Sequence, residues 1–251
     1  NHSASSLVDN DYYWLGDGVN DTLRFSGHGS SLFGANTTDD MSYSGWFRID
    51  ETSNSGQFLG TFSKSTPTGN DMIFIHYTSA DNALRFRYRH GGGGNFHQLF
   101  KRLDTNSSVT GVSSSGWQSS NRGNVNSDGF VFLTFTYDAS DRTVSTGMKM
   151  YWNGTVIPTN SQANSISSPT SWNVQSFAIG DAISASPNNS QVFKGGIDQV
   201  SVYSKVLTQA EITALYNSGT PITGVDAGVT SNLLAEYRLE NNGTNTTGVF
   251  P

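Results

Sequence analysis

The sequence predicts an all-β sandwich with one short helix near its C-terminal end, and three observations carry that prediction. Short runs alternate apolar and polar residues between turn clusters over most of the chain. Charged residues make up only 14% of the 251 residues while aromatics reach 12%, and Gly, Ser, Thr and Asn are abundant. That mixture suits a real core wrapped in many turns and a polar, weakly charged surface. Finally, the segment from Gly195 to Gly219, GGIDQVSVYSKVLTQAEITALYNSG, is a strand followed at once by a fully punctuated helix.

The helix is defined by its ends. Thr208 stands at the N-cap and Glu211 three residues later completes a capping box. Leu207 and Ile212 have the spacing of a hydrophobic staple. Ile212, Leu215 and Tyr216 form one apolar face and Gly219 supplies the stop, so the helix is expected to lie as a lid on a sheet.

The strands follow in order. Leu23 and Phe25 begin the first, Tyr43 to Ile49 forms the next, and Phe58 to Phe62 and Met72 to Tyr77 follow. Leu84 to Tyr88 alternates cleanly: Leu84, Phe86 and Tyr88 face one side, Arg85, Arg87 and Arg89 the other. Phe130 to Tyr137 is apolar on both faces and reads as a central strand. Met148 to Trp152 runs into Asn153-Gly154, a type I′ hairpin signal returning through Val156 and Ile157. Phe177 to Ile179, Ile197 to Tyr203 and Leu233 to Leu239 complete the set. Two stretches, Gly91 to Asn126 and Thr159 to Asn173, show little pattern and read as long loops, which in a compact domain are usually functional or mobile. No internal boundary divides the chain.

Several classes are excluded. A net charge of -6 argues against nucleic acid, whose phosphates need a basic excess. No apolar run is long enough to span a bilayer. The absence of cysteine removes a disulfide framework and thiolate metal sites, and favours a bacterial, viral or marine-microbial origin. No leader is visible and the chain opens on Asn1, which reads as the product of a longer one. Sequons at Asn20, Asn36, Asn106 and Asn153 carry little weight in so Asn-rich a chain.

The closing segment resembles that of laminin-G-like, concanavalin-A-like lectin/glucanase domains through Gly196, Ile197, Asp198, Val200, Val202, Tyr203, Leu207, Thr208, Glu211, Ile212, Leu215 and Tyr216. Upstream, Ser44 to Phe47, Phe62 to Lys64, Thr134 to Asp138, Met150 to Gly154 and Ala178 to Gly180 are similar to further family strands, in the family's order. The resemblance covers most of residues 20–219 and implies a two-sheet antiparallel jelly-roll sandwich of about thirteen strands. One domain over 1–251 is expected, with its core at 20–219 and residues 220–251 as a C-terminal extension. Its closing strand would return beside the N-terminal one rather than begin a further repeat. The tandem, Asn/Gly-rich members that the chain resembles often look like virion or adhesin proteins.

This fold could carry four chemistries. Sugar hydrolysis needs paired carboxylates, and the E-x-D-x-x-E string of related glucanases is missing. Glu236 and Glu240 are same-faced on their strand and read as a solvated edge. There is no G-x-S-x-G elbow and no H-E-x-x-H spacing, and His76 reads as a packed sheet residue. The resemblance also implies a structural Ca²⁺. Asp198, placed by alternation on the core side with Val200 and Val202, is its first candidate ligand, with Asp17 and Asp181 as partners; a turn-holding Asp198 without metal is the competing reading. Arg85, Arg87 and Arg89 stand about 7 Å apart on one face. They require acidic neighbours or an anionic ligand such as a uronate or sulfated glycan, a solvated sheet face being the plainer alternative. His90, His97, Lys101 and Arg102 add positive charge nearby. Trp14, Trp117 and Trp172 lie in loop-like sequence and can stack on sugars or plug the sandwich end.

The expectation is therefore a non-catalytic surface recognition module that binds glycan or a host-surface receptor. Its ligand residues are Arg85, Arg87, Arg89, His97, Trp117 and Trp172, with possible structural calcium at Asp198, Asp17 and Asp181. A virion structural protein (a phage decoration, fibre or tail component contacting other virion proteins) is the alternative, and a glycan-active hydrolase or lyase a third. The expected location is extracellular, on a cell surface or on a virion, without nucleic acid partners or membrane insertion.

Overall fold

Alternating side chains give each strand one apolar face, and in the computed structural model those faces meet between two antiparallel sheets. The structure describes residues 2–7, 10–19, 21, 23–26, 39–49, 57–63, 72–78, 83–89, 96–102, 129–141, 146–164, 174, 176–183 and 192–239. Fifteen strands are found among them, not about thirteen. They are β1 (His2–Leu7), β2 (Asn10–Asp17), β3 (Leu23–Ser26), β4 (Met41–Ile49), β5 (Gln57–Ser63), β6 (Met72–Thr78), β7 (Ala83–Arg89) and β8 (Phe96–Arg102), then β9 (Val131–Tyr137), β10 (Met148–Trp152), β11 (Thr155–Val156), β12 (Asn160–Asn164), β13 (Ser176–Ile179), β14 (Lys194–Tyr203) and β15 (Leu233–Tyr237). One sheet runs β1-β2-β14-β4-β9-β10-β11, with β15 also on β14; the other runs β12-β8-β7-β6-β5-β13-β3. This is the predicted all-β sandwich with jelly-roll character.

The inter-sheet core is aromatic. Phe177 of the seven-stranded sheet packs on Phe62 with ring centres 4.7 Å apart and reaches Tyr237 on β15 at 5.7 Å. Tyr43 of β4 crosses the sandwich and donates its hydroxyl to the Leu59 carbonyl at 2.7 Å, so the one polar atom of a buried ring is satisfied.

The helix α1 (Gln209–Tyr216) forms as its ends predict. Thr208 Oγ1 accepts from the Glu211 N–H while the Glu211 carboxylate accepts from the Thr208 N–H. The stop differs: Asn217 takes the left-handed conformation (φ 45°) and a 3-10 turn carries the chain to Gly219. Ile212 and Leu215 are buried on the outer face of the eight-stranded sheet, and Tyr216 stacks on Trp46.

Four further readings are corrected. Trp14 is a buried residue of β2, not a loop residue. Strands β8 and β12 occupy parts of the two stretches read as loops. The closing strand β15 pairs with β14 along Val200 to Tyr203, on the edge that β2 uses from Lys194 to Ile197, so both share β14 as a partner. Asp198 does not share a face with Val200 and Val202. A bulge between Asp198 and Ser201, with Gln199 at φ 47°, inserts one residue against β4 and reverses the alternation. Asp198 lies opposite Trp46 instead, still fully buried.

Candidate functional site: the outer face of the seven-stranded sheet

On β7, Leu84, Phe86 and Tyr88 are buried while Arg85, Arg87 and Arg89 are half-buried on the opposite face. Antiparallel register fixes what surrounds them. On β6 the opposed residues are His76, Phe74 and Met72; on β8 they are Phe100, Gln98 and Phe96. None of these six positions carries a carboxylate. The arginine row therefore runs between ring-rich positions of its two neighbours that carry no formal charge.

Rings and one amide hold the guanidinium groups. Arg87 lies 4.4 Å from the centre of the Phe96 ring and 5.5 Å from that of Phe74, and Arg85 lies 5.9 Å from Phe100. Arg87 donates its Nε–H to Gln98 Oε1 at 2.6 Å, and Arg85 Nη1 reaches the same oxygen at 3.3 Å. With its acceptor used twice, the fully buried Gln98 offers Nε2, which has no acceptor among the described residues. Burial, with Arg85 and Arg89 nearby, lowers the Arg87 pKa to about 10. The cation is thus held at a cost that an anion would relieve.

His76 packs as expected, its ring stacked on Phe58 and tilted against Phe74, both at 5.1 Å. Burial first, then Arg87 and Arg85, lowers its pKa to about 3, so it is neutral at ordinary pH. Phe58, Phe74 and Ala182 make a small apolar cluster beside it. Farther across the sheet, Arg24 on β3 pairs with the buried Asp181, whose carbonyl accepts from Thr61 Oγ1 at 2.7 Å.

Other predicted site residues fall elsewhere. His97 lies opposite Tyr88, and Lys101 opposite Leu84, so alternation puts both on the face away from the arginines. Lys101 is buried, and that burial lowers its pKa. Trp117, Trp172, His90 and Glu240 lie outside the described residues. Asp17, Asp181 and Asp198 do not converge: among the described residues no three His, Asp or Glu side chains form a metal-ligand group. Asp17 accepts from the Val19 N–H at 2.7 Å, Asp181 from Arg24 and Asp198 from the Gln199 N–H at 2.9 Å. The residues as placed do not fit a calcium cage.

Sequence reasoning missed Phe74, Phe96, Gln98 and Phe100 as members of the site. For the three on β8 the signal was the every-second-residue set Phe96, Gln98, Phe100 in FHQLF, hidden because Leu99 makes the other face apolar too.

The chain is similar to several solved structures. The botulinum neurotoxin serotype D/C VPI 5993 binding domain aligns with a TM-score of 0.54 at 16% identity, over 87% of this chain and 46% of that one. The NanB sialidase of Streptococcus pneumoniae aligns with a TM-score of 0.52 at 18% identity, over 80% of this chain and 26% of that one. The Ruminococcus gnavus IT-sialidase CBM40 bound to α2,3-sialyllactose aligns with a TM-score of 0.49 at 18% identity, over 80% and 100%. Among curated proteins none matches the chain. The family model of the concanavalin A-like lectin/glucanases superfamily matches residues 17–213. With that match over most of its length, and the sandwich that goes with it, the chain belongs to the concanavalin A-like lectin/glucanases superfamily.

Proposed function

We propose that this protein is a non-catalytic recognition module that binds glycan on the outer face of its seven-stranded sheet. The arginine row flanked by rings carries the reading. Guanidinium N–H groups and aromatic faces are the two groups that grip a sugar, one through its oxygens and the other through its C–H face. The described residues of this face bring cations and rings, not the facing carboxylate pair that glycoside hydrolysis uses, and Asp181 is engaged by Arg24. A similar fold forms part of the binding domain of botulinum neurotoxin DC, described in complex with rat synaptotagmin II, so a receptor role is compatible with it.

A glycan-array screen of the protein beside Arg87→Gln tests the reading. Binding to one glycan class that Arg87→Gln abolishes, with the fold intact by circular dichroism, is the expected result. Silence across the array, or binding that Arg87→Gln leaves unchanged, moves the ligand surface elsewhere and favours a structural role through protein contacts.

A further inference from the structure

We infer that Arg87 and Arg89 clamp one oxyanion, so that the glycan bound on this face is anchored by a single carboxylate or sulfate on the sugar over that half of the row. This inference rests on the glycan-binding reading above and names the group that anchors the ligand.

The first ground is where the acids are. The seven strands of this sheet carry Arg24, Arg85, Arg87, Arg89, Lys101 and Arg102 but no Asp or Glu. The whole chain has the opposite balance, 20 Asp and Glu against 14 Lys and Arg. Arg24 is taken by Asp181, and Lys101 lies on the other face. Among the described residues, neither Arg87 nor Arg89 has a carboxylate partner.

The second ground separates these two from Arg85, which is engaged by Gln98 Oε1, by the Phe100 ring and by a further contact. Arg89 stands between Met72 on β6 and Phe96 on β8, and neither side chain has an oxygen to accept its N–H groups. Its Nε is buried and has no hydrogen-bond partner. Arg87 gives only its Nε–H, to Gln98, and that bond together with the Phe96 ring fixes the guanidinium plane. The Nη edge of Arg87 is left for an oxyanion.

The third ground is spacing and charge. Same-face neighbours on one strand stand about 7 Å apart. Two charge-assisted contacts of about 2.8 Å, one on each side of an oxyanion, fill that gap. Burial, then Arg85 and Arg89, lower the Arg87 pKa to about 10, so the two guanidinium groups repel each other until an anion stands between them. A neutral hydroxyl brings no charge to do this. The net charge of -6 repels a polyanion more than a ligand with one charge.

The test follows the Arg87 and Arg89 Nε–H signals of the full chain by NMR at constant ionic strength. The titrants are sodium sulfate, galactose, galacturonic acid, galactose 6-sulfate and trigalacturonate. Sulfate alone is expected to bind at about millimolar strength, and the better of the two acidic sugars roughly tenfold more tightly than sulfate or galactose; which one wins tells carboxylate from sulfate. Arg87→Gln and Arg89→Gln, with the remaining amide signals in place, should each weaken that binding roughly tenfold, and Arg89→Lys should recover part of the loss. Lys149→Gln, which removes an exposed cation from the other sheet, should leave it unchanged. Trigalacturonate should gain no more than roughly threefold over galacturonic acid, the gain from three equivalent places to bind.

No sulfate shift at Arg87 and Arg89, or a shift that Arg89→Gln leaves intact, overturns the clamp. Galactose as tight as the acidic sugars overturns it too, while the glycan reading stands. A roughly tenfold gain with each further acid of trigalacturonate overturns the single charge. Sulfate as tight as both acidic sugars, with a silent array, keeps the clamp and overturns the glycan reading.

Discussion

The guanidinium of Arg87 lies 4.4 Å from the centre of the Phe96 ring, reached diagonally from the next strand. Phe96 is half-buried and outside the inter-sheet core, so its role is to carry the cation. Phe96→Leu keeps apolar bulk and removes the π face. It is expected to weaken glycan binding roughly two- to fivefold, the measure of an exposed cation–π contact. The melting temperature should move by no more than about 2 °C. Unchanged affinity would mean that Gln98 alone orients Arg87.

His76 gives the outer face an acid limit. Its pKa in the fold, about 3, lies below the unfolded value near 6.5, so the folded protein resists taking the proton. The stability linked to this group is complete above the unfolded pKa and is lost as pH falls through the interval down to about 3. His76→Gln should therefore flatten the fall in urea midpoint across that interval. The His76 ring carbon shift in the wild-type protein should hold its neutral value well below pH 6. A ring that titrates near pH 6.5 would show that His76 is solvated and that the Phe58–Phe74 stack opens.

Glu236 behaves in the opposite sense. It is buried on β15, accepts from the Gly224 N–H with one oxygen, and pairs in register with Ser201. It was expected on a solvated edge; the chain after α1 folds back over it instead. Burial raises its pKa, and the nearby Asp226 raises it further, against the lowering effects of the Gly224 N–H, Arg238 and Ser201. A raised folded pKa means that the linked stability is present below the ordinary carboxylate range and is lost as pH rises through the folded value. Glu236→Gln keeps an acceptor for Gly224 and removes the buried charge. It should raise stability at pH 7 and lose that advantage in acid. Glu236→Ala, which strands the Gly224 N–H, should cost about 1–3 kcal/mol by urea denaturation at either pH. A Glu236→Gln advantage that is the same at both pH values would sink the burial argument.

What could be read from sequence was local. The capping box needs only Thr208 and Glu211, and the I′ turn only Asn153 and Gly154, both of which have positive φ in the structure. The arginine row followed from strand alternation alone. Non-local features were hidden. The bulge at Gln199 is set by pairing with β4, and it turned Asp198 away from the face that alternation gave it. The ring-lined walls of the row come from β6 and β8, whose placement beside β7 is topology and not composition. Glu236 looked solvated because nothing in LLAEYRLE shows that the Gly224 N–H, from a loop after α1, closes on it.

Gly196 is the family-motif glycine whose physical reason the structure supplies. A Cβ there would stand 2.4 Å from the Phe130 ring and 3.0 Å from that of Tyr13. Those rings cannot retreat easily: they meet edge-on at 5.0 Å, and Arg48 lies over both while bonding the Tyr13 hydroxyl at 3.0 Å. Gly196→Ala is therefore expected to destabilise by about 1–3 kcal/mol through overpacking. Phe130→Leu in the same chain should recover part of that loss, so a double-mutant cycle by urea denaturation would show favourable coupling between the two positions. Additive losses would place the strain in the β14 backbone instead of against the ring. Because this cluster lies on the outer face of the other sheet, folded Gly196→Ala should bind glycan as the wild type does. A parallel loss of affinity would mean that the two outer faces are coupled through the core.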